Sequence, residues 1–502
     1  MRRARLATLL VAALATSVFA SQSALDAAID TTKYQEKVDT KDMVKTLKKL
    51  QHFADHADGT RTAGTEGHDE SAEHMAKEAK KLGYDVTMQE FDFDFFQELA
   101  TPEFEQVAPT PTTYVPDVDF ITMEYSGSGD VTAPVQGVDL VLPPGPDPNT
   151  STSGCEASDF AGFTPGNIAL LQRGTCTFFA KATNAEAAGA VGAIIFNEGQ
   201  PGRTATLAGT LGGVGVTIPT TGIGFDLGEE LATTAGLVAR LFTSTITEVR
   251  STVNVLADSP WGNPDETIVV GAHLDSVSTG PGIQDNGSGS AMNLELAEEL
   301  SKLFHMHGKN VGQGKDGYKG VTLQNRVRFA WWSAEESGLV GSQYYVDNLT
   351  LEEFDQIALN LNFDMVASPN FVRFIYNGDG DGDPDAAGPP GSDEIEALFN
   401  AHFDGMGLAH EPTAFDGRSD YGPFIDVGIP AGGLFTGAEG VKTAAQVATY
   451  GGMEGDQYDP CYHLACDDID NITENGMIVL EQNGNAAADV LLQLLTTTDL
   501  PG

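Results

Sequence analysis

Basic residues are scarce in this chain. Its 502 residues include 27 Lys and Arg against 72 Asp and Glu, which gives a formal net charge of −45. Such a charge repels the phosphate backbone of nucleic acids and argues against a nucleic-acid partner. It favours solubility in a harsh or salty medium, and attraction of cationic peptides is a weaker alternative.

Long apolar runs are missing after the N-terminus. No stretch beyond residue 20 approaches the ~18 uninterrupted apolar residues that cross a bilayer, so no membrane contact is expected for the mature chain. At the N-terminus, Arg2, Arg3 and Arg5 precede an apolar run from 6 to 20. This pattern predicts a secretory signal peptide over residues 1–20 and a secreted, extracellular protein. The run is short for a bilayer span, which makes a membrane anchor the lesser alternative.

Cysteine is also rare, with four residues and no Cys-x-x-Cys pair. The missing pair argues against a zinc–cysteine site, and in an oxidising compartment two disulfides are expected instead. Four cysteines allow three pairings, and we favour Cys155–Cys176 with Cys461–Cys466 because the two pairs lie far apart in the sequence. Secretion also makes three Asn-x-Ser/Thr sequons candidate glycosylation sites: Asn149, Asn348 and Asn471.

The composition and periodicity of the sequence change twice along the chain, which predicts three regions after the signal peptide. Residues 21–115 contain a helical pattern from 66 to 82, ended by Gly83 and followed by a strand-like alternation. Residues 116–245 are rich in Gly, Thr, Pro and Val and predict an inserted, mostly-β module. From residue 246 to 502, strands and helices alternate, which indicates an α/β fold with parallel strands.

Metal-binding side chains follow three predicted strands directly. His273 comes after the strand 267–272, Glu335 and Glu336 follow 326–332, and Asp364 follows 357–363. A fourth strand is predicted over 430–435 and a helix over 290–304. Ligands bind beyond the carboxyl ends of the strands in open α/β sheets, so these side chains are expected to meet there.

Two further residues complete a set of metal ligands. Asp285 lies in a glycine-rich segment, 282–289, whose small neighbours leave room for metals. His463 lies in the short Cys461–Cys466 loop, which a disulfide would hold rigid. Two histidines and three carboxylates suffice for two zinc ions about 3.5–4 Å apart, bridged by a carboxylate and by a water or hydroxide. Asp285 is well suited to the bridging position.

The neighbours of the ligands predict catalysis rather than simple metal storage. Glu335 and Glu336 are adjacent, so their side chains diverge, and one can ligate while the other takes a proton from water and passes it to a leaving amine. Asp275 follows His273 by two residues and is expected to accept the second imidazole N–H. The combination predicts a metal-dependent hydrolase. The other histidines fit no site and are predicted at the surface: His52, His56, His68, His74, His305, His307, His402 and His410.

The acidic run Gly378–Asp385 is a weak candidate for a calcium site. It resembles a calcium loop only in part, because Pro384 stands where a calcium-binding hand needs Gly, and no Glu closes the loop. A surface loop is the better interpretation.

Six segments of the C-terminal region closely resemble the secreted co-catalytic double-zinc aminopeptidases. Their wider family includes glutamate carboxypeptidases and glutaminyl cyclases. The segments occur in the order of that family: Gly271–Ser276, Gly282–Gly289, Ser333–Gly338, Asn362–Val366, Gly417–Phe424 and Asp459–His463. The resemblance implies a zinc-exopeptidase fold, a phosphorylase/hydrolase-like three-layer α/β sandwich with a mixed, mainly parallel sheet.

The same resemblance implies a role for each site residue. The implied zinc ligands are His273 and Asp364 for one ion, Glu336 and His463 for the other, and Asp285 between them. Glu335 would be the general base and acid, Tyr462 would steady the oxyanion, and Asp275 would support the ligands from behind. The pocket for a large apolar, Leu-like N-terminal residue would be lined by Met365, Arg418 and Phe435. The implied partners are peptides with a free N-terminus, and a monomer is expected.

The inserted module resembles a protease-associated (PA) domain. Residues 170–178 and 189–197 carry this second resemblance. Such domains are non-catalytic, and the resemblance leaves open whether this one gates the active-site entrance or binds substrate.

Three alternatives are weighed against the aminopeptidase. A carboxypeptidase or dipeptidase of the same family would need a basic pocket for a carboxylate, and few arginines cluster near the motifs. A glutaminyl cyclase is disfavoured because that branch works with one zinc. A non-catalytic, receptor-like binding protein would have lost metal ligands, and all five are present here.

Overall fold

The computed structural model describes residues 29–381 and 387–502. The predicted signal peptide, and residues 382–385 of the predicted calcium loop, lie outside the described residues, and both remain predictions. Within the two described ranges, no helix has the length and apolar character needed to cross a membrane.

The helices and strands alternate through most of the chain. The strands are β1 Asp85–Ala108, β2 Thr112–Thr113, β3 Phe120–Thr122, β4 Gly129–Gly137, β5 Ile168–Gln172, β6 Gly192–Phe196, β7 Thr220–Ile223, β8 Val238–Asp258, β9 Asn263–His273, β10 Asn325–Trp332, β11 Ile357–Phe363, β12 Phe374–Tyr376, β13 Glu411–Thr413 and β14 Ala431–Phe435. The helices are α1 Thr32–Gln35, α2 Thr40–His56, α3 Glu66–Leu82, α4 Phe178–Ala187, α5 Phe225–Thr233, α6 Gly287–Leu303, α7 Val340–Asp347, α8 Leu351–Asp355, α9 Ser392–Met406, α10 Gly422–Asp426, α11 Ala444–Tyr450 and α12 Glu474–Thr496.

The main sheet has the strand order β13-β12-β14-β11-β9-β10-β8-β1. Its central strands β14, β11, β9 and β10 are parallel, whereas β12 pairs antiparallel with β14, and β8 pairs antiparallel with β10. In the register of the central strands, Trp332 of β10 lies opposite His273 of β9. The carboxyl ends of the parallel strands therefore lie side by side, as the sequence predicts.

Helices cover both faces of this sheet. Along β9, the side chains of Ile268 and Val270 enter a large core shared with α2, α3, α6, α9 and α12, while Val269 enters a smaller core on the other face. That second core includes Tyr345 of α7 and Phe424 of α10. Because successive strand residues point to opposite faces, the buried stretch of β9 from 268 to 272 needs apolar or small residues at every position. The result is three layers, with helices on both sides of the sheet.

The helix that follows Asp285 begins earlier than its apolar periodicity predicts. The pattern predicts a start near Ser290, whereas α6 begins at Gly287. The side chain of Asn286 accepts a hydrogen bond from the amide of Gly289 and caps the first turn. The apolar pattern starts only after this glycine-rich turn, so periodicity alone placed the beginning too late.

A long antiparallel ribbon joins the main sheet to the inserted module. Strands β1 and β8 pair from Asp85 opposite Asp258 to Ala108 opposite Val238. Beyond the main sheet, β8 continues into a second sheet of order β8-β4-β5-β6-β7-β3, in which β4 to β7 are parallel. The predicted module boundary after residue 115 follows β2, and the one after residue 245 falls within β8. The β1–β8 ribbon is therefore common to the two sheets.

Both expected disulfides are present, Cys155–Cys176 in the inserted module and Cys461–Cys466 in the C-terminal region. Of the three sequon asparagines, Asn149 and Asn348 are exposed. Asn471 is buried, and its amide donates to the carboxylates of two buried aspartates, Asp459 and Asp467. A glycan on Asn471 is thus incompatible with this fold.

Two histidines predicted at the surface are buried. His68 has no exposed area, and its Nδ1 lies 3.4 Å from the hydroxyl of Thr252. His402 is 7% exposed, and its Nδ1 lies 2.7 Å from Oδ2 of Asp489 in α12. The prediction was wrong for both because their partners come from distant parts of the chain.

Candidate active site

The five predicted metal ligands meet at the carboxyl edge of the main sheet. Nε2 of His273 lies 3.2 Å from Oδ1 of Asp285 and 3.5 Å from Oδ1 of Asp364. Nε2 of His463 lies 3.3 Å from Oδ2 of Asp285 and 3.1 Å from Oε2 of Glu336. Asp285 therefore directs one carboxylate oxygen toward each imidazole.

The arrangement fits a pair of metal ions. Ligand atoms within 4.8 Å of one another form three overlapping groups in the described ranges, and His273 and Asp285 each belong to two of them. Oε1 of Glu336 and Oδ1 of Asp364 are buried and have no hydrogen-bond partner among the described residues. Buried carboxylate oxygens are costly when unpaired, and a cation would satisfy them. The nitrogen and carboxylate donors are those that zinc prefers.

The charges of the site shift the proton affinity of its ligands. Burial lowers the pKa of His273, but the nearby carboxylates, chiefly Glu335 and Asp364, raise it by a larger amount. The net pKa therefore lies well above its ordinary value. Burial also lowers the pKa of His463, yet hydrogen bonds to Asp285 and Glu336 raise it to about 10. Protons therefore compete with metal for these imidazoles, and metal binding must release them.

Glu335 lines the same cavity as the predicted ligands, but it lies near a different imidazole from Glu336. Its Oε2 lies 3.9 Å from Nε2 of His273. Burial raises the pKa of the Glu335 carboxyl well above its ordinary value, and the nearby Glu336 adds to the rise. A carboxylate with a raised pKa is a better proton acceptor, which suits a general base. Ala334, just before the turn that presents it, has a left-handed conformation, with φ of 55°.

Asp275 does not make the hydrogen bond that its spacing predicts. Nδ1 of His273 and Oδ1 of Asp275 are 3.6 Å apart, beyond hydrogen-bond distance. Instead, Oδ1 accepts from the amide of Glu335 at 3.2 Å, and Oδ2 accepts from the amide of Glu336 at 3.3 Å. The side chain does point toward the site, but the backbone of the Glu335 turn competes for both oxygens. The predicted bond to His273 was therefore wrong.

Tyr462 and His463 lie in the loop closed by the second disulfide. Their rings stack, with centroids 3.8 Å apart. The Tyr462 hydroxyl lies 3.4 Å from Nη2 of Arg418, whose Nη1 donates to Glu439 at 2.8 Å. Burial and the charge of Asp285 raise the pKa of Tyr462 above its ordinary value, which keeps its hydroxyl protonated. It can therefore donate a hydrogen bond to an oxyanion.

A cavity of about 380 Å³ opens beside the ligands. The three residues predicted for a substrate pocket, Met365, Arg418 and Phe435, all line it. Tyr376 and Tyr421 contribute aromatic rings to its lining. Tyr421 lies within one of the segments that carry the family resemblance. Tyr376 lies in no recognisable motif, and sequence reasoning missed it.

Two ligands are held by residues that sequence reasoning also missed. The hydroxyl of Ser419 donates to Oδ2 of Asp364 at 2.5 Å. The carboxylate of Asp467 accepts from the amides of Gln284 and Asp285, at 2.8 and 2.9 Å. Ser419 lies in the Gly417–Phe424 segment and could have been found there, whereas Asp467 carries no local signal.

The described part of the candidate calcium loop is held by the protein itself. Oε2 of Glu396 accepts from the amides of Gly378 and Asp379, and Oδ1 of Asn377 accepts from Gly380. Residues 382–385 are outside the described ranges. The calcium site therefore stays a prediction.

Two parts of the chain match known sequence families. Residues 254–487 match Peptidase family M28, and residues 135–231 match the PA domain. Over 462 residues, the chain is 45% identical to an aminopeptidase of Pseudomonas aeruginosa, which covers 91% of this chain and 81% of that protein. The chain belongs to peptidase family M28.

This M28 peptidase is also similar to proteins of fungi and of other bacteria. It is 39% identical over 453 residues to leucine aminopeptidase 2 of Trichophyton tonsurans, covering 89% of this chain and 82% of that protein. Its fold matches the solved structure of BSAP, a zinc aminopeptidase from Bacillus subtilis, with a TM-score of 0.57 and 25% identity over 91% of this chain and 95% of that one. The predicted family, the α/β fold with its PA domain, and the enzyme class, a metallo-exopeptidase with aminopeptidase function, are confirmed.

Proposed function

We propose that this M28 peptidase is a secreted aminopeptidase with two zinc ions, which removes large apolar, Leu-like residues from the N-termini of peptides. The observation that carries the proposal is the position of Asp285, whose two oxygens lie 3.2 and 3.3 Å from the two imidazoles. A carboxylate so placed is suited to join two metal ions. The proposed ligands are His273, Asp285, Glu336, Asp364 and His463.

The residues around the ligands would do the proton chemistry. Bound zinc would polarise the scissile carbonyl and lower the pKa of water, so that water could lose a proton and act as a nucleophile at neutral pH. Glu335 would accept the proton of that water and deliver it to the leaving amine. Tyr462 would donate a hydrogen bond from its hydroxyl to the oxyanion that forms from the carbonyl. Asp275 would hold the Glu335 turn in place through the two backbone amides.

The cavity suits a peptide with a free N-terminus. Aromatic and thioether side chains are among those that line it, which favours a large apolar N-terminal residue. Among the described residues that line the cavity, Arg418 is the one Lys or Arg, and its guanidinium already pairs with Glu439. A carboxylate-binding pocket, as a carboxypeptidase needs, therefore has little support. The leucine aminopeptidase relative agrees with this preference.

Secretion and a monomeric state complete the proposal. The N-terminal signal pattern and the two disulfides support an oxidising, extracellular environment. The residues proposed for the site all come from one chain, which supports the proposed monomer.

The decisive test is a panel of aminoacyl and N-blocked peptides, assayed with and without a chelator. We expect rapid release of N-terminal Leu from free peptides, loss of activity with the chelator, and recovery with zinc. Metal analysis should find two zinc ions per chain. Hydrolysis of N-blocked peptides from their C-terminus would instead establish the carboxypeptidase alternative.

A further inference from the structure

A fully buried arginine lies beneath the proposed metal site. Arg61, in the loop between α2 and α3, has no exposed surface. Its Nε donates to the carbonyl of Pro281 at 2.8 Å, and its two terminal nitrogens donate to the carbonyls of Leu274 and Gly282. All three acceptors are backbone atoms, so this guanidinium braces the main chain itself.

The three carbonyls belong to the two loops that carry metal ligands. Leu274 lies between His273 and Asp275, whereas Pro281 and Gly282 lead directly to Asp285. The backbone amide of Arg61 adds a further link to the first loop, because it donates to the hydroxyl of Ser276 at 2.9 Å. One planar side chain thus fixes the spacing between the two loops.

The charge of Arg61 also matters at this position. Burial lowers its pKa to about 10, so it remains protonated at neutral pH, and Asp275, Asp467 and Asp285 are the carboxylates that favour its charge most. An uncompensated buried charge is costly, but here it offsets the repulsion among carboxylates that the site crowds together. The guanidinium therefore combines a geometric constraint with a compensating charge.

We propose that Arg61 is a positioning residue, which sets the distance between His273 and Asp285 and thereby the affinity of the site for zinc. The inference rests on the proposed two-zinc function. Without the guanidinium, the buried carbonyls of Leu274 and Pro281 lose their donor, and that of Gly282 keeps only the amide of Gly287. The two loops are then free to separate. Asp285 would then no longer face both imidazoles. Loss of a residue that orients metal ligands lowers metal affinity by about 10–100-fold.

The test compares Arg61→Gln and Arg61→Lys in the full-length protein. Zinc affinity is measured by competition with a chromophoric chelator, and ligand geometry by the visible spectrum of the cobalt-substituted protein. We expect zinc affinity to fall about 10–100-fold in Arg61→Gln, with a changed cobalt spectrum. Arg61→Lys should recover part of the affinity, because it keeps the charge but lacks the planar fork. If Arg61→Gln fails to fold, Arg61→Lys carries the test alone.

Arg328→Gln is the matched control. Arg328 pairs with Asp258 through two bonds of 2.6 Å, in a part of β10 away from the ligands. We expect lower thermal stability in this variant with zinc affinity unchanged. The inference would be overturned by wild-type affinity and spectrum in the Arg61 variants, or by an equal loss of affinity in Arg328→Gln. A wild-type protein that binds no zinc would sink the proposed function and this inference together.

Discussion

Asp275 accepts a hydrogen bond from the backbone amide of Glu335, at 3.2 Å, and thereby holds the residue proposed as general base. Its other oxygen accepts from the next amide along the turn, that of Glu336. Ala334, just before the turn, adopts a left-handed conformation that few side chains tolerate. The two hydrogen bonds from these backbone amides to Asp275 stabilise the turn and direct both glutamates toward the site.

Asp275→Asn should reduce turnover more than it reduces metal binding. An amide nitrogen cannot accept a hydrogen bond, so one of the two backbone amides loses its partner. We expect kcat to fall about 10-fold with KM nearly unchanged, which corresponds to about 1.4 kcal/mol of transition-state stabilisation. Steady-state kinetics and zinc analysis measure both quantities. The matched control is Asp468→Asn, whose carboxylate accepts from the amide of Asp470 away from the cavity; an equal loss there would refute a specific role for Asp275.

Glu335→Gln should keep both zinc ions and lose most of the turnover. The amide fills the same space but cannot take a proton, and general-base steps contribute about 10²–10⁴-fold. Zinc content by metal analysis and kcat by peptide hydrolysis separate the two effects. His463→Ala is the contrasting variant, because it removes a proposed ligand and should lower the zinc content. Near-normal kcat in Glu335→Gln would remove this residue from its proposed role.

Tyr462→Phe should lower kcat and leave zinc content intact. The substitution keeps the ring that stacks on His463 and removes only the hydroxyl proposed to donate to the oxyanion. Loss of one such donor costs about 10²–10³-fold in kcat in other hydrolases. Tyr458→Phe is the control, because its hydroxyl donates to Gln446 and it does not line the cavity. If both variants keep wild-type kcat, Tyr462 plays no part in the transition state.

Glu295→Gln should stabilise the protein at neutral and alkaline pH. Burial raises the pKa of Glu295 to about 8, although its Oε1 accepts from the amide of Asp39 at 3.0 Å. A carboxyl group with a raised pKa favours the folded state while protonated, and this contribution disappears as the pH rises from about 4.5 to about 8. Gln keeps an acceptor oxygen and never ionises.

We therefore expect Glu295→Gln to gain about 1–3 kcal/mol over wild type at pH 8 and nothing near pH 4. Urea unfolding at several pH values measures the difference. Glu298→Gln is the control on the same helix, where a partly exposed Glu pairs with Lys302. A constant difference across the pH range would contradict the assigned cause.

Local patterns predicted the framework of the site. β9, β10 and β11 each appear in the sequence as a short apolar run that ends in a polar side chain, and the alternation with helices makes them parallel. Parallel strands end on the same side of a sheet, so three of the five proposed ligands could be placed together without a structure. The start of α6 was missed because its glycine-rich first turn lacks the apolar period.

The contacts that hold the ligands depended on distant parts of the chain. Ser419, Asp467 and Arg61 come from separate segments, and their side chains are polar residues with no period or spacing of their own. The sequence likewise could not predict whether Asp275 would accept hydrogen bonds from His273 or from the amides of the Glu335 turn, because both donors lie close to its carboxylate.

The sequence by itself therefore determined which residues could bind metal and at which edge of the sheet they would lie, because strand ends and residue chemistry are local properties. Only the tertiary structure decided how these residues are held and oriented: which carboxylate accepts which amide, and that Arg61 braces two ligand loops. Hydrogen bonds in a buried site are chosen by competition among groups that packing brings together, and that competition exists only in the folded chain.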